Sequence, residues 1–248
     1  MIINTLATLL LVCVPAISAH MGMKFPTPLN YELNPYRDPS RPIDGNYNDP
    51  LEPDGSDYPC RGYAKLMGTR EGAQVATYNA GGTGYFMLEP NSPAANKKGG
   101  PHGGGSCQIS LSYDRGQTFK VIKSFIGSCP KRSIDDVQKF NFTIPREAPS
   151  GVIILSWSWF NRDHEMFQNC ASVNIKNGGS GISHLPDMMV ANIGNGCDSP
   201  TWTTVDGVDK YIDLMYPNPG KVVEYGDGRY PLVLPSGNNC SVLPLPAV

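Results

Sequence analysis

Short runs of alternating apolar and polar residues recur through the middle of the chain. Ile109, Leu111 and Tyr113 share one face of a predicted strand over residues 107–113, because strand side chains alternate between the two faces of a sheet. A turn with a glycine follows, and residues 119–125 are predicted to form the returning strand. Comparable β-rich patterns predict further strands over residues 140–144, 151–160, 170–175 and 188–193.

Convincing helical periodicity is scarce, whereas Gly (27 residues) and Pro (23 residues) are spread along the whole chain. Many short strands separated by Gly/Pro turns favour an antiparallel β-sandwich or barrel. Residues 20–60 and 86–106 are polar, lack a regular pattern and are predicted to be long ordered loops, which are commonly functional. We predict an all-β fold, specifically an immunoglobulin/fibronectin-like antiparallel β-sandwich with long loops and short helices.

The first 19 residues carry no charge, are largely apolar and end in the small residues Ser18 and Ala19. This pattern predicts a secretory signal peptide over residues 1–19, although a basic start is lacking. Residues 20–248 would then form one secreted, extracellular domain, with the segment after about residue 176 packed as part of it.

The cysteines and one sequon agree with export. Apart from Cys13, the chain has six cysteines without Cys-x-x-Cys spacing, which is typical of a disulfide framework and allows many pairings. Asn141-Phe-Thr is a predicted N-glycosylation site. The formal net charge of −2 and the absence of a basic stripe argue against nucleic acid and anionic membranes as partners. We expect a monomer.

Two of the four histidines occupy unusual positions. His20 becomes the first residue if the leader is removed after Ala19, so its α-amino group and its ring could bind one metal ion together. The α-amino pKa of about 8 lets a metal displace that proton near neutrality. His102 lies in the glycine-rich segment 99–108 and would supply a second imidazole. A nitrogen-rich, tetragonal site favours copper.

Two other interpretations of His102 exist. His-Gly-Gly-Gly also occurs in the oxyanion hole of esterases, but these enzymes require a Gly-x-Ser-x-Gly elbow on an α/β fold, and the chain contains no such motif. The histidine could also be incidental to a glycine-rich turn, an interpretation that His20 makes less attractive.

Several motifs, in this order along the chain, resemble the fungal chitin-active lytic polysaccharide monooxygenases of auxiliary-activity family eleven. The resemblance covers nearly all of residues 20–248, and the motifs are specific when taken together. They are His20-Met21, Asp54-Gly-Ser-Asp-Tyr-Pro-Cys60, His102-Gly-Gly-Gly-Ser-Cys-Gln108, Trp157-Ser-Trp-Phe-Asn-Arg162, Glu165-Met-Phe-Gln-Asn-Cys-Ala171, Pro217-Asn-Pro-Gly220 and Val222-Val-Glu-Tyr225.

The resemblance implies a histidine brace, in which the amino nitrogen and ring of His20 and the ring of His102 hold one copper ion that alternates between Cu(I) and Cu(II). It implies an oxidoreductase that receives electrons from an external donor and uses oxygen or hydrogen peroxide to break β-1,4 bonds at a chitin surface. It also implies the disulfides Cys60–Cys170 and Cys107–Cys129, which leave Cys197–Cys240 as the third pair.

One position departs from the family pattern, which carries Tyr where this chain has Phe167. Loss of the hydroxyl leaves an apolar ring on the axial side of the predicted copper. Phe167 is nevertheless predicted to be one of the catalytic residues. On a strand, Glu165 would point to the same side as Phe167, so we expect Glu165 to orient oxygen species or supply a proton. His164 would point away and remain at the surface. Trp157 and Trp159 are expected in the core, and Arg162 is a further candidate for the substrate face.

A second functional class also fits a leading histidine. A secreted, non-catalytic copper-binding protein, with a role in copper uptake or at the cell wall, would keep the brace without oxidising a polysaccharide. The strand around Glu165 and Phe167 favours the enzyme.

Overall fold

The computed structural model describes residues 20–92 and 97–240, so the predicted leader over residues 1–19 lies outside the described residues. These residues form short strands, joined by long loops and one 3-10 helix, Cys60–Leu66. The strands are β1 Gly22–Phe25, β2 Ala76–Asn79, β3 Thr83–Glu89, β4 Asn91–Ser92, β5 Lys97–Lys98, β6 Ser106–Ser112, β7 Lys120–Ile126, β8 Lys139–Thr143, β9 Gly151–Phe160, β10 Met166–Lys176, β11 Trp202–Val205, β12 Val208–Tyr211, β13 Asp213–Leu214, β14 Val223–Tyr225 and β15 Leu232–Val233.

Two main sheets build the sandwich. The larger has the order β14-β7-β6-β9-β10-β2 and the smaller has the order β1-β3-β8. Strands β6, β7, β9 and β10 pair with one another antiparallel, whereas β2 and β14 join the two edges in parallel. The predicted all-β, immunoglobulin/fibronectin-like sandwich with long loops is confirmed.

The main core lies between the two sheets. Phe86 and Phe140 of the small sheet stack with ring centroids 4.9 Å apart, and both rings pack edge-on against Phe125 of the large sheet. Ile109 and Leu111 are fully buried in the same core, which confirms the apolar face predicted for β6, whereas Tyr113 lies beyond the strand and is partly exposed.

The opposite face of the large sheet is also buried, but its central side chains are polar. Gln168 accepts a hydrogen bond from the Cys60 main-chain nitrogen at 2.8 Å, and Gln108 accepts one from the Met189 nitrogen at 2.9 Å. These bonds attach the long loops to the sheet and satisfy polar groups that would be costly to bury alone. The loops thereby form a third layer over the sandwich.

The three disulfides are Cys60–Cys170, Cys107–Cys129 and Cys197–Cys240, which confirms all three pairs implied by the family resemblance. The first joins the 3-10 helix to β10, and the second joins β6 to the loop after β7. The third closes the C-terminal segment from Cys197 to Cys240, which confirms that this segment is folded. It contains the two-stranded antiparallel ribbon β11–β12 and the β13–β15 pair.

Three local predictions are wrong. The first is the loop over residues 20–60, because residues 22–25 form β1 of the smaller sheet. Residues 188–193 do not form a strand, because they cross the third layer and hydrogen-bond to side chains such as Gln108. Residues 86–89, placed in a loop, belong to β3, where Phe86 and Leu88 fill the core. Asn141 is exposed on the edge strand β8, and its glycosylation stays a prediction.

None of the helical structure in residues 20–92 and 97–240 is long and apolar enough to cross a membrane.

Candidate metal centre

His20 is held at one end of the sandwich by the strand that follows it. Met21 and Met23 are buried in the core, and the Met23 nitrogen donates a hydrogen bond of 2.8 Å to Asn169 Oδ1. The His20 carbonyl oxygen accepts a bond of 3.0 Å from the Gly100 nitrogen. A Cβ atom at Gly99 would lie only 1.9 Å from that carbonyl oxygen, so this close approach requires glycine. The position of His20 is therefore fixed by its main chain.

His102 is held on the adjacent loop, which leads into β6. Arg162 donates two hydrogen bonds to the His102 carbonyl oxygen, from Nε at 3.0 Å and from Nη2 at 2.6 Å. Gly105 has a φ of +126°, and a Cβ atom there would lie 2.2 Å from the Phe160 carbonyl oxygen. The glycine run after His102 thus serves close packing of the loop against β9, not an oxyanion hole.

The two imidazole rings face each other. Their centroids are 5.7 Å apart and their planes differ by 22°. His102 Nε2 is buried without a hydrogen-bond partner, and Glu165 Oε2 lies 3.9 Å from it. One potential ligand atom from each of His20, His102 and Glu165 lies within 4.8 Å of the others, the one such group of three in the described part of the chain.

An unpartnered buried nitrogen beside a second imidazole fits a metal ion, because buried polar atoms otherwise find a partner. The predicted pairing of His20 with His102 is therefore reproduced by the structure, and the donor set suits a nitrogen-preferring transition metal.

Nδ1 of each histidine contacts a carboxylate. His20 Nδ1 lies 2.7 Å from Asp49 Oδ1, and His102 Nδ1 contacts an oxygen of Asp163. The Asp163 contact leaves Nε2 of His102 for a metal ion, and a carboxylate in this position orients a metal-binding imidazole. Neither aspartate was predicted from the sequence. Asp163 follows directly after the Trp157–Arg162 motif, which offered a clue, whereas Asp49 lies in a long loop and had no distinguishing pattern.

Buried aromatic rings line the interior side of the histidine pair. The Phe167 ring centroid is 5.6 Å from that of His20 and 6.4 Å from that of His102. The Trp159 ring centroid lies 4.4 Å from that of Phe167, with the two planes tilted by 31°, and Trp159 Nε1 donates to the Gly104 carbonyl oxygen at 3.1 Å. Trp157 and Trp159 are completely buried, as predicted for core residues. Trp159 additionally supports the His102 loop, a role that the strand pattern did not reveal.

Glu165 lies beside the histidines, on the same side as Phe167, in agreement with the predicted direction. It is positioned by Asn161, whose Nδ2 donates to Glu165 Oε2 at 2.5 Å. His164 is partly exposed, and its Nδ1 donates to the Ser199 carbonyl oxygen at 2.7 Å, so its predicted surface position is confirmed. Both residues precede β10 in a turn, so their directions follow from the turn and not from strand alternation.

Burial lowers the pKa of the His102 imidazole, while the nearby carboxylates of Asp163 and Glu165 oppose that shift. The lowered pKa favours a neutral imidazole ring, which is the form that binds a metal.

Known proteins resemble this chain over most of its length. AA11 family lytic polysaccharide monooxygenase A of Aspergillus fumigatus (strain CBS 144.89 / FGSC A1163 / CEA10) is 43% identical over 197 residues, which cover 77% of this chain and 80% of that protein. AA11 family lytic polysaccharide monooxygenase B of Aspergillus fumigatus (strain ATCC MYA-4609 / CBS 101355 / FGSC A1100 / Af293) is 34% identical over 260 residues, covering 92% of this chain. The chain spans only 54% of that second relative.

No protein-family model matches the sequence. Similarity to the solved extended catalytic domain of H. jecorina LPMO9A (EG4) is low, with a TM-score of 0.43 and 14% identity over 79% of this chain and 76% of that one.

Both curated relatives are lytic polysaccharide monooxygenases, the class indicated by the motifs around the histidine pair. With 43% identity across four fifths of the first relative, the chain belongs to the AA11 family of lytic polysaccharide monooxygenases.

Proposed function

We propose that this chain, once it begins at His20, is a secreted copper-dependent monooxygenase that cleaves β-1,4 bonds of chitin. The observation that carries the proposal is the buried, unpartnered Nε2 of His102 beside the ring of His20. Family membership supports the reaction class, and the motif resemblance supports chitin as the substrate. The three disulfides support an oxidising, extracellular location.

The α-nitrogen and ring of His20 and Nε2 of His102 would hold the copper. Bound copper supplies one-electron redox chemistry, which an external reductant together with oxygen or hydrogen peroxide turns into oxidation of a C–H bond next to the glycosidic oxygen. Only Nδ1 of His20 can close a small chelate ring with the α-nitrogen of the same residue, so copper binding would displace Asp49 from that atom.

The protein groups around the histidines have separate roles. His102 is held in its neutral form by burial and oriented by Asp163. Phe167 excludes water from the interior side of the pair, since its ring is almost completely buried. Glu165 is fixed by Asn161 within reach of His102, where its carboxyl group can hold and transfer a proton.

The decisive experiment compares the protein that begins at His20 with the same protein carrying one extra alanine before His20. We expect the first to bind one copper tightly, with an axial, nitrogen-rich electron paramagnetic resonance spectrum, and to release oxidised oligosaccharides from chitin when reductant is added. The extended form should lose most of its copper affinity and should release few or no oxidised oligosaccharides. Equal copper affinity of the two forms would contradict the brace.

The same experiment separates the two functional classes. Tight copper binding without oxidised products from chitin would favour a non-catalytic copper-binding protein.

A further inference from the structure

The ribbon β11–β12 presents two aromatic side chains on one face. Trp202 and Tyr211 are directly opposite each other in the antiparallel register, so both point to the same side of the ribbon. They are 58% and 60% exposed. Thr204 and Asp209 form the next pair on that face and are joined by a hydrogen bond of 2.8 Å. The face therefore combines two accessible rings with a polar edge.

This aromatic face adjoins the metal centre through a single residue. The Arg162 guanidinium carbon lies 4.6 Å from the Tyr211 ring centroid and 4.7 Å from that of Tyr230. The same guanidinium group donates both hydrogen bonds to the His102 carbonyl oxygen. Tyr211 stays largely exposed even though Arg162 covers part of its ring. The aromatic face thus continues the surface that begins at the histidines.

The base of the ribbon is fixed relative to the His102 loop. Asp213, which directly follows the ribbon, is 1% exposed and accepts a bond of 2.7 Å from Arg132 Nη2. Arg132 Nη1 donates to the Gly103 carbonyl oxygen at 2.5 Å. The Cys197–Cys240 disulfide closes the surrounding segment. These contacts hold the aromatic face in one position beside the histidine pair.

We propose that Trp202 and Tyr211, extended by the polar Thr204–Asp209 pair, form a binding platform for the sugar chain that is cleaved at the metal centre. The inference rests on the proposed function, because it takes the occupant to be the β-1,4-linked chain of chitin.

Exposed aromatic rings side by side are unfavourable in water unless a partner covers them. Pyranose rings present apolar C–H faces that stack on aromatic rings, and their hydroxyl and N-acetyl groups bond to polar neighbours such as Asp209. Binding several sugar units next to the histidines would place the scissile bond by orientation, without a deep groove.

The test measures binding of the copper-loaded protein beginning at His20 to insoluble chitin, in the wild type, W202A and Y211A. Y113A is the matched control, because Tyr113 is a partly exposed tyrosine beyond the far end of β6, away from the histidines. Copper affinity, the paramagnetic resonance spectrum and the unfolding temperature are recorded for every variant. They reveal any change in the metal centre or in folding.

We expect W202A and Y211A each to bind chitin about 10-fold more weakly, which corresponds to about 1.4 kcal/mol. Their copper affinity and spectra should match the wild type, and Y113A should bind chitin normally. Wild-type binding that persists unchanged in W202A and Y211A would overturn the platform and leave the proposed function intact. A wild type that neither binds nor oxidises chitin would overturn the substrate assignment together with the platform.

Discussion

The metal centre and the β11–β12 ribbon are neighbours on the surface but are built in opposite ways. The histidines are backed by Phe167 and Trp159, which are almost completely buried, and by main-chain contacts that leave no room for a Cβ atom at Gly99 or Gly105. All four residues of β12 are exposed, and the buried Asp213 holds the base of the ribbon. The sandwich core therefore fixes the histidine pair, whereas the proposed platform on the ribbon would contact the substrate without being part of that buried packing.

The largest effect should follow removal of a metal ligand. We expect His102→Ala to weaken copper binding by about 1,000-fold or more, because loss of a mere orienting partner already costs about 10- to 100-fold in affinity. Competition titration against a chelator measures this loss. His184→Ala is the control, since His184 is an exposed histidine whose Nε2 lies 3.4 Å from Glu147.

The two histidine variants would break the comparison in a defined way. If His102→Ala and His184→Ala bound copper equally well, the copper site would not lie at the His20–His102 pair.

Glycine substitutions sharpen the same contrast. Gly105→Ala combines a positive φ with a severe clash against the Phe160 carbonyl oxygen, and we expect the free energy of unfolding to fall by about 3 kcal/mol or more. Gly207→Ala, in the ribbon turn, meets no atom within 4 Å, so its positive φ alone should cost about 1 kcal/mol. Denaturant unfolding of both variants provides the values, and similar losses would mean that the two regions are equally constrained.

The smallest effect is expected from Phe167→Tyr, which restores the hydroxyl found in the family pattern. The Phe167 ring packs against both histidines, so we expect the added oxygen to lie near the proposed metal. We expect the paramagnetic resonance spectrum of the copper form to shift, while copper affinity changes by less than about 10-fold, or about 1.4 kcal/mol. An unchanged spectrum would show that the side chain at position 167 points away from the metal.

The strands of the sandwich were predictable because their side chains alternate, as Ile109 and Leu111 show on β6. The histidine pair was predictable from the position of His20, next to a predicted cleavage point, and from the glycines around His102. Asp49 could not be predicted from the sequence. It lies in a loop and reaches His20 through tertiary packing, which leaves no local sequence pattern. The strand predicted over residues 188–193 was wrong for a related reason. The apolar residues of this segment pack in the third layer, where burial does not require a strand.

The direction of Glu165 was predicted correctly for an inadequate reason. Strand alternation was assumed, but the residue lies in the turn before β10, and its orientation depends on the hydrogen bond from Asn161. The ribbon was likewise not predicted, although Cys197 and Cys240 showed that its segment is folded. Short, exposed strands carry few apolar positions, and so they give little periodic signal.

The histidine pair joins parts of the chain that are far apart in sequence. His20 precedes the first strand, His102 follows the fifth, and Phe167 lies on the tenth. Such non-local contacts form late and slowly during folding. A chain that begins at His20 but has a mispaired disulfide could still offer the α-nitrogen and ring of His20, but it would lack the second imidazole of His102 beside them. Under the proposed function, a metal ion held by both histidines would report that these distant parts of the chain have been brought together by folding.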